Sequence, residues 1–366
     1  MNQTICRWGI LGAAFIARKN WQSIRDAEHA RLVAVASRDL KRAEAFINEC
    51  QASAPHEMVP EAMGGYEALL ARADIDAVYI PLPTGLRKEW VIKAARAGKH
   101  VLVEKPVGCD AQEVAEIIAA CEENNVQFMD GVMFMHGQRL KHLRQVMDQE
   151  VGTVRHIASQ FSFKADAAFQ KENIRAQSDL EPLGCLGDLG WYCLRFTLWA
   201  MNEESPVLVT GKVHSETEPA RNGQSVPLAF SGTLTFADGA LASFYCGFTA
   251  AHAQWAIVSG ENALLQVSDF VLPFSGASTR YSLTKSNFIL DGCRADMHAG
   301  QQTQSLPEPS NNASGSQESE LFEAFSKLAL SEKTDPHWPR ISLLTQKTLD
   351  ACLKSAQQGS VPLAFH

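Results

Sequence analysis

A chain of 366 residues exceeds the size at which one hydrophobic core usually stops growing, so two domains are expected. Hydrophobic residues at 46% and charged residues at 20% exclude a disordered or fibrous chain. With 33 Lys and Arg against 41 Asp and Glu, the net charge of -8 and the lack of a basic cluster argue against a nucleic-acid partner.

The segment from Arg7 to Leu11 reads as a short strand that turns at Gly12 and enters an Ala-rich helix ending near Asp26. A second strand, Arg31 to Ala36, delivers Ser37-Arg38-Asp39, and helical spacing resumes through Lys41 to Phe46. A loop with Pro55 and Pro60 leads to a short helix from Tyr66 to Ala71, then to a strand, Ala77 to Ile80, stopped by Pro81 and Pro83. A helix from Lys88 to Ala97 precedes the apolar run Val101-Leu102-Val103, which ends in Glu104-Lys105-Pro106; a helix (Ala111 to Asn124) and a strand (Gln127 to Met129) follow. Strands alternating with helices imply right-handed βαβ units and a parallel sheet over residues 1–130.

Beyond a helix from Leu140 to Met147 the pattern changes to longer β-rich segments, Arg155 to Phe163, Val207 to His214, Leu228 to Phe236, Ala240 to Phe248, Trp255 to Ser259 and Ala263 to Val267. Asp238-Gly239 between two of them signals a hairpin. Residues 131–366 are therefore expected to form an α+β domain on a large, mostly antiparallel open sheet. Ser305 to Ser316 reads as an exposed loop, and helices from Glu318 to Leu330 and Ile341 to Gln357 close the chain.

The nine cysteines are scattered without zinc spacing, so reduced thiols and no metal are expected. The apolar start from Ile5 to Ala17 is interrupted by Arg7, too short for a bilayer and without a signal peptide's charged leader; the expected location is the cytoplasm, with no membrane partner.

Three clusters suit chemistry. The turn at Gly12 and the helix behind it would hold a dinucleotide pyrophosphate on free N–H groups, although Ala14 and Ala17 take the second and third glycine places of Gly-x-Gly-x-x-Gly. At the end of the second strand Arg38 suits a 2′-phosphate and so favours NADP, while Asp39 keeps NAD open. In Gly187-Asp188-Leu189-Gly190-Trp191-Tyr192, a helix beginning near Gly187 would put Asp188 and Tyr192 on one face, and Gly190 would admit a ligand or another chain. Tyr192 then serves as general acid/base if Lys105 stabilises its phenolate; otherwise it is a core aromatic and Asp188 a helix cap.

These pieces together resemble the Gfo/Idh/MocA superfamily over nearly the whole chain, through Gly9 to Ala17, Ser37-Arg38, Glu104-Lys105-Pro106 and the Asp188 to Tyr192 motif, with Gly152 before the first long strand of the second domain. Tyrosine at 192 is similar to the glucose-fructose oxidoreductase and dihydrodiol dehydrogenase branches. The resemblance implies an N-terminal Rossmann domain, a cleft for nicotinamide and substrate, and homodimers or homotetramers through the open sheet. It implies cofactor contacts at Gly12, Ala14, Phe15, Ile16, Ser37, Arg38, Pro81, Leu82, Thr84, Glu104 and Lys105. Lys105 and Tyr192 would carry proton transfer, Asp188 would orient substrate or lysine, and Arg175 would contact a substrate hydroxyl. Where the family often has Pro-Asn-x-x-His, this chain has Pro83-Thr84-Gly85-Leu86-Arg87, so Arg87 is expected to alter what the pocket accepts. The expected activity is NAD(P)-dependent hydride transfer to or from a sugar, polyol or diol. The alternative is a non-catalytic protein that senses the nucleotide and regulates a partner.

Overall fold

The computed structural model describes residues 5–365 apart from 167–168, 170–172, 221 and 311–312. The chain divides into two compact units, each assembled from three segments: residues 1–137, 177–182 and 311–347, and residues 138–176, 183–310 and 348–366.

The first unit is built on a six-stranded parallel sheet in the order β3-β2-β1-β4-β5-β6. Its strands are β1 (Cys6–Leu11), β2 (Ala30–Ser37), β3 (Glu61–Gly64), β4 (Ala77–Ile80), β5 (His100–Val103) and β6 (Phe128–Asp130). Helices α1 (Phe15–Asp26), α2 (Leu40–Ser53), α3 (Tyr66–Leu70), α4 (Thr84–Arg96) and α5 (Ala111–Glu123) connect them. Every residue of β4 is buried, as expected of a central parallel strand covered on both faces. Order reverses between β1 and β4, and at such a switch point ligands bind beyond the strands' carboxyl ends. The register places Ile10 beside Tyr79, Ile80 beside Val103 and Leu11 beside Ala36, so the segments after β1, β2, β4 and β5 emerge along one edge.

Far-distant residues complete this core. Trp8 is fully buried, donates its indole N–H to Ser326 Oγ at 3.0 Å, and lies with its ring centroid 5.2 Å from those of both Phe322 and Phe325.

The second unit begins with α6 (Gln138–Val146) and carries a nine-stranded sheet in the order β16-β13-β12-β11-β7-β10-β9-β8-β17. Its strands are β7 (Val154–Ser162), β8 (Leu208–Glu216), β9 (Pro227–Thr235), β10 (Leu241–Gly247), β11 (Ala253–Gly260), β12 (Leu264–Val267), β13 (Ser278–Thr284), β16 (Gln301–Pro307) and β17 (Leu363–Ala364). Neighbours are antiparallel except β7 and β10, which are parallel. The Asp238-Gly239 turn joins β9 to β10: Gly239 takes φ +85°, and Asp238 Oδ1 accepts the Ala240 N–H at 3.0 Å. Strands β14 (Asn287–Asp291) and β15 (Arg294–His298) form a separate hairpin. A helix, α7 (Trp191–Ala200), is buried along its whole length.

The expected loop from Ser305 to Ser316 is partly corrected: Ser305, Leu306 and Pro307 belong to β16, Asn311 and Asn312 lie outside the described residues, and Ser316 caps α8 (Gln317–Ala329). The last helix is α9 (His337–Gln357). Among the described residues no helix is long and apolar enough to cross a membrane, and no group of three or more His, Cys, Asp or Glu is arranged to hold a metal.

Candidate active site

In the first unit the predicted residues converge on the strand-end edge. Gly12 takes φ +124°, which only glycine adopts readily, and a side chain there would stand 3.0 Å from Leu82 Cδ2. Ala14, at the N-cap of α1, has no side chain that caps the helix, so the first amides of Phe15 and Ile16 meet no side-chain acceptor there and present the positive end of the dipole. Those amides fit an anionic diphosphate.

The edge continues after β2, where Ser37 is buried and Arg38 exposed. Asp39 caps α2 by accepting the Lys41 N–H at 3.0 Å, so its carboxylate already serves the helix. Burial raises the Tyr66 phenol, and the charges of Arg38 and Arg42 oppose that rise. Arg38 and Arg42 thus act electrostatically on the Tyr66 phenol from the region beyond β2. Arg42 and Tyr66 escaped the sequence reading. A second arginine four residues after the first, on the opening turn of the next helix, was the available signal.

Glu104 points inward. Its Oε1 accepts the Tyr79 hydroxyl at 2.6 Å, and that hydroxyl accepts from Asn20 Nδ2 at 2.7 Å. Burial, then the Glu104 charge, holds the Tyr79 phenol well above its ordinary value, so it remains a proton donor to the carboxylate. The Glu104 carboxylate therefore anchors Tyr79 inside the sheet and is not itself free for the expected cofactor contact. Lys105 follows directly, 9% exposed, at the end of β5.

Arg87 is also corrected from the expected substrate contact. It is only 5% exposed, and its guanidinium faces the protein: Nε donates to the Leu82 carbonyl at 2.7 Å, and Nη1 to Thr84 Oγ1 at 3.0 Å and to the Pro106 carbonyl. Helix α4 starts at Thr84, four residues before the expected start, because Glu181 supplies the missing cap: its carboxylate accepts the Thr84 N–H at 3.2 Å and the Thr84 hydroxyl at 2.5 Å. Nothing local in the sequence signals a cap from so far along the chain.

In the second unit, Asp188 lies in a wide π-helical turn, Leu186–Gly190, that runs into α7. Such turns widen the helix and alter the spacing between residues four apart. Arg175 Nε meets Asp188 Oδ2 at 2.9 Å, and the side chains are 40% and 17% exposed, so the pair remains open to solvent. Tyr192 is buried, its ring edge-on to Phe161 with centroids 5.6 Å apart. Gly190 admits no ligand: a side chain there would lie 2.9 Å from Leu186 Cδ1 and 3.1 Å from Cys246 Sγ, so glycine serves core packing.

Comparison with known proteins identifies the family of both parts of the chain. The model of an oxidoreductase family with an NAD-binding Rossmann fold, GFO_IDH_MocA, matches residues 6–132, and that of the GFO/IDH/MocA C-terminal domain matches residues 140–266. D-xylose 1-dehydrogenase (NADP(+)) 2 of Haloferax volcanii is 33% identical over 262 residues, 71% of this chain and 75% of the relative. Trans-1,2-dihydrobenzene-1,2-diol dehydrogenase of Mus musculus is 30% identical over 273 residues, 73% of this chain and 76% of the relative. The crystal structure of KijD10, a 3-ketoreductase from Actinomadura kijaniata in complex with NADP and TDP-benzene, superposes with a TM-score of 0.77 at 25% identity, covering 96% of this chain and 98% of that one.

Proposed function

Because the chain belongs to the Gfo/Idh/MocA family of oxidoreductases, we propose that it is an NADP-dependent dehydrogenase or reductase for a sugar, polyol or diol, with Lys105 and Tyr192 handling the proton. The observation that carries this reading is the strand-end edge, where the Gly12 turn, Ser37-Arg38 and Lys105 follow β1, β2 and β5 of one parallel sheet. When bound, the cofactor supplies hydride transfer at its nicotinamide ring. The amides at the start of α1 hold its diphosphate, and Arg38, Arg42 and Tyr66 hold the 2′-phosphate that separates NADP from NAD. Pro81 and Leu82, in the loop after β4, shape the wall of the cofactor site, while Thr84, expected as a third contact, is fully buried with its hydroxyl held by Arg87 and Glu181.

Tyr192 takes the proton from a substrate hydroxyl during oxidation and returns it during reduction. The Lys105 ammonium stabilises the oxygen on which charge develops, electrostatic help of a kind commonly worth two to three orders of magnitude, roughly, in rate. Asp188, held by Arg175, orients a substrate hydroxyl, and the exposed part of Arg175 donates to another. The partly exposed sheet face carrying Ser231, Tyr245, Gln160 and Trp255 is the proposed surface of a homodimer or homotetramer.

The test is a panel of sugars, polyols and diols with NADPH or NADP, comparing wild type with Lys105→Ala and Tyr192→Phe. Both variants should bind NADPH normally and lose at least about 100-fold in kcat. Unchanged turnover in Lys105→Ala defeats the assignment. Nucleotide binding with no turnover on any substrate would instead favour the sensor.

A further inference from the structure

We infer that Arg87 is a positioning residue that sets the place of Lys105, and that Glu181 tunes it through Thr84; this rests on the dehydrogenase reading above. A buried guanidinium needs acceptors for its donors, and its planar fork suits several at once. Here the acceptors are the Leu82 carbonyl, in the loop after β4, and the Pro106 carbonyl, in the loop after β5, with the Thr84 hydroxyl alongside. One side chain thus ties together two strand-end loops. Leu82 packs against the Gly12 turn, and Pro106 immediately follows Lys105.

The compensating carboxylate is one hydroxyl away. Thr84 Oγ1 accepts from Arg87 and donates to Glu181, forming a relay from cation through hydroxyl to anion. The segment bearing Glu181 is seated by the Gly85 N–H on the Leu180 carbonyl at 3.0 Å, and a side chain at Gly85 would meet the Asp179 carbonyl oxygen at 2.7 Å. This segment directly precedes the stretch carrying Asp188 and Tyr192. Its docking on α4 therefore acts, through Arg87, on the loop that carries the lysine.

The experiment measures single-turnover hydride transfer, NADPH affinity and the pH profile of kcat for Arg87→Ala, Arg87→Lys, Thr84→Val and Glu181→Gln, each normalised to folded protein. Arg87→Ala should lose about 10- to 100-fold in the transfer rate, the scale of a small misplacement, with NADPH affinity within about threefold and a shifted alkaline limb. Added guanidinium ion should restore part of that loss. Arg87→Lys reaches one carbonyl and should fall between wild type and Arg87→Ala; Thr84→Val and Glu181→Gln should show smaller losses in the same direction. If Arg87→Ala does not fold, the other three variants decide. Lowered stability alone, with transfer rate and pH profile unchanged per folded enzyme, overturns the inference. If Lys105→Ala is inactive while the Arg87 and Thr84 variants keep wild-type transfer, only the brace fails; if Lys105→Ala stays active, the underlying reading fails first.

Discussion

The space beyond β2 illustrates how single residues set cofactor choice. Arg38 is exposed, and with Arg42 it acts on a phenol that burial alone would push further up. A dianionic 2′-phosphate would gain charge-assisted bonds of roughly 1.5–3 kcal/mol each, whereas a ribose hydroxyl would gain little. Arg38→Ala should therefore raise the Kd for NADPH by about 10-fold or more and leave NADH within about twofold; equal losses for both cofactors would remove Arg38 from the phosphate site. Residue identities here were legible where the motif is local. Gly12, Arg38 and Lys105 each end or follow a strand that the apolar pattern reveals. Glu104, Arg87 and Glu181 were not legible, since their partners, Tyr79, Pro106 and Thr84, are brought together only by the sheet.

At the level of elements, the π turn before α7 holds a tightly packed glycine. Gly190 sits against Leu186 and Cys246, both buried, with no room for one more methyl group. Gly190→Ala should cost about 1–3 kcal/mol of stability through overpacking. Removing the opposing sulfur in a Gly190→Ala/Cys246→Ala double variant should recover part of that cost, because neighbours that share space couple. Denaturant midpoints check this; full additivity of the two changes would show that the sulfur is not the obstacle. The sequence revealed α7 and its neighbours through their apolar runs, but not the extra width of the turn, which follows from packing on β10. Strands β14 and β16 went unread for another reason: β14 is exposed along its length and β16 is polar, so neither carries an alternating apolar signal.

Across the whole molecule, the first unit holds a buried histidine, His56, and a partly buried one, His100, that make stability depend on pH. His56 packs edge-on to Trp21 with centroids 4.6 Å apart and bonds its Nε2 to the Trp21 carbonyl at 3.1 Å; His100 Nδ1 accepts the Gln127 N–H at 2.9 Å. Burial lowers both below the ordinary histidine value, and protonating His100 would also remove an acceptor that joins β5 to β6. The unfolded chain therefore binds more protons than the folded one as pH falls below about 6.5, so stability is intact above that value and declines toward the lowered folded pKa values. Carboxylates add to the loss only at lower pH: burial works against ionisation of Asp76, yet its hydrogen bonds and ion pair with Arg7 at 2.6 Å keep it below the usual range. Urea unfolding of wild type between about pH 7.5 and pH 5 should show a falling midpoint, and His100→Gln, which cannot gain a charge, should show a shallower fall. A wild-type midpoint that stays level over this interval, or a variant with the same slope, would place the acid sensitivity elsewhere in the chain.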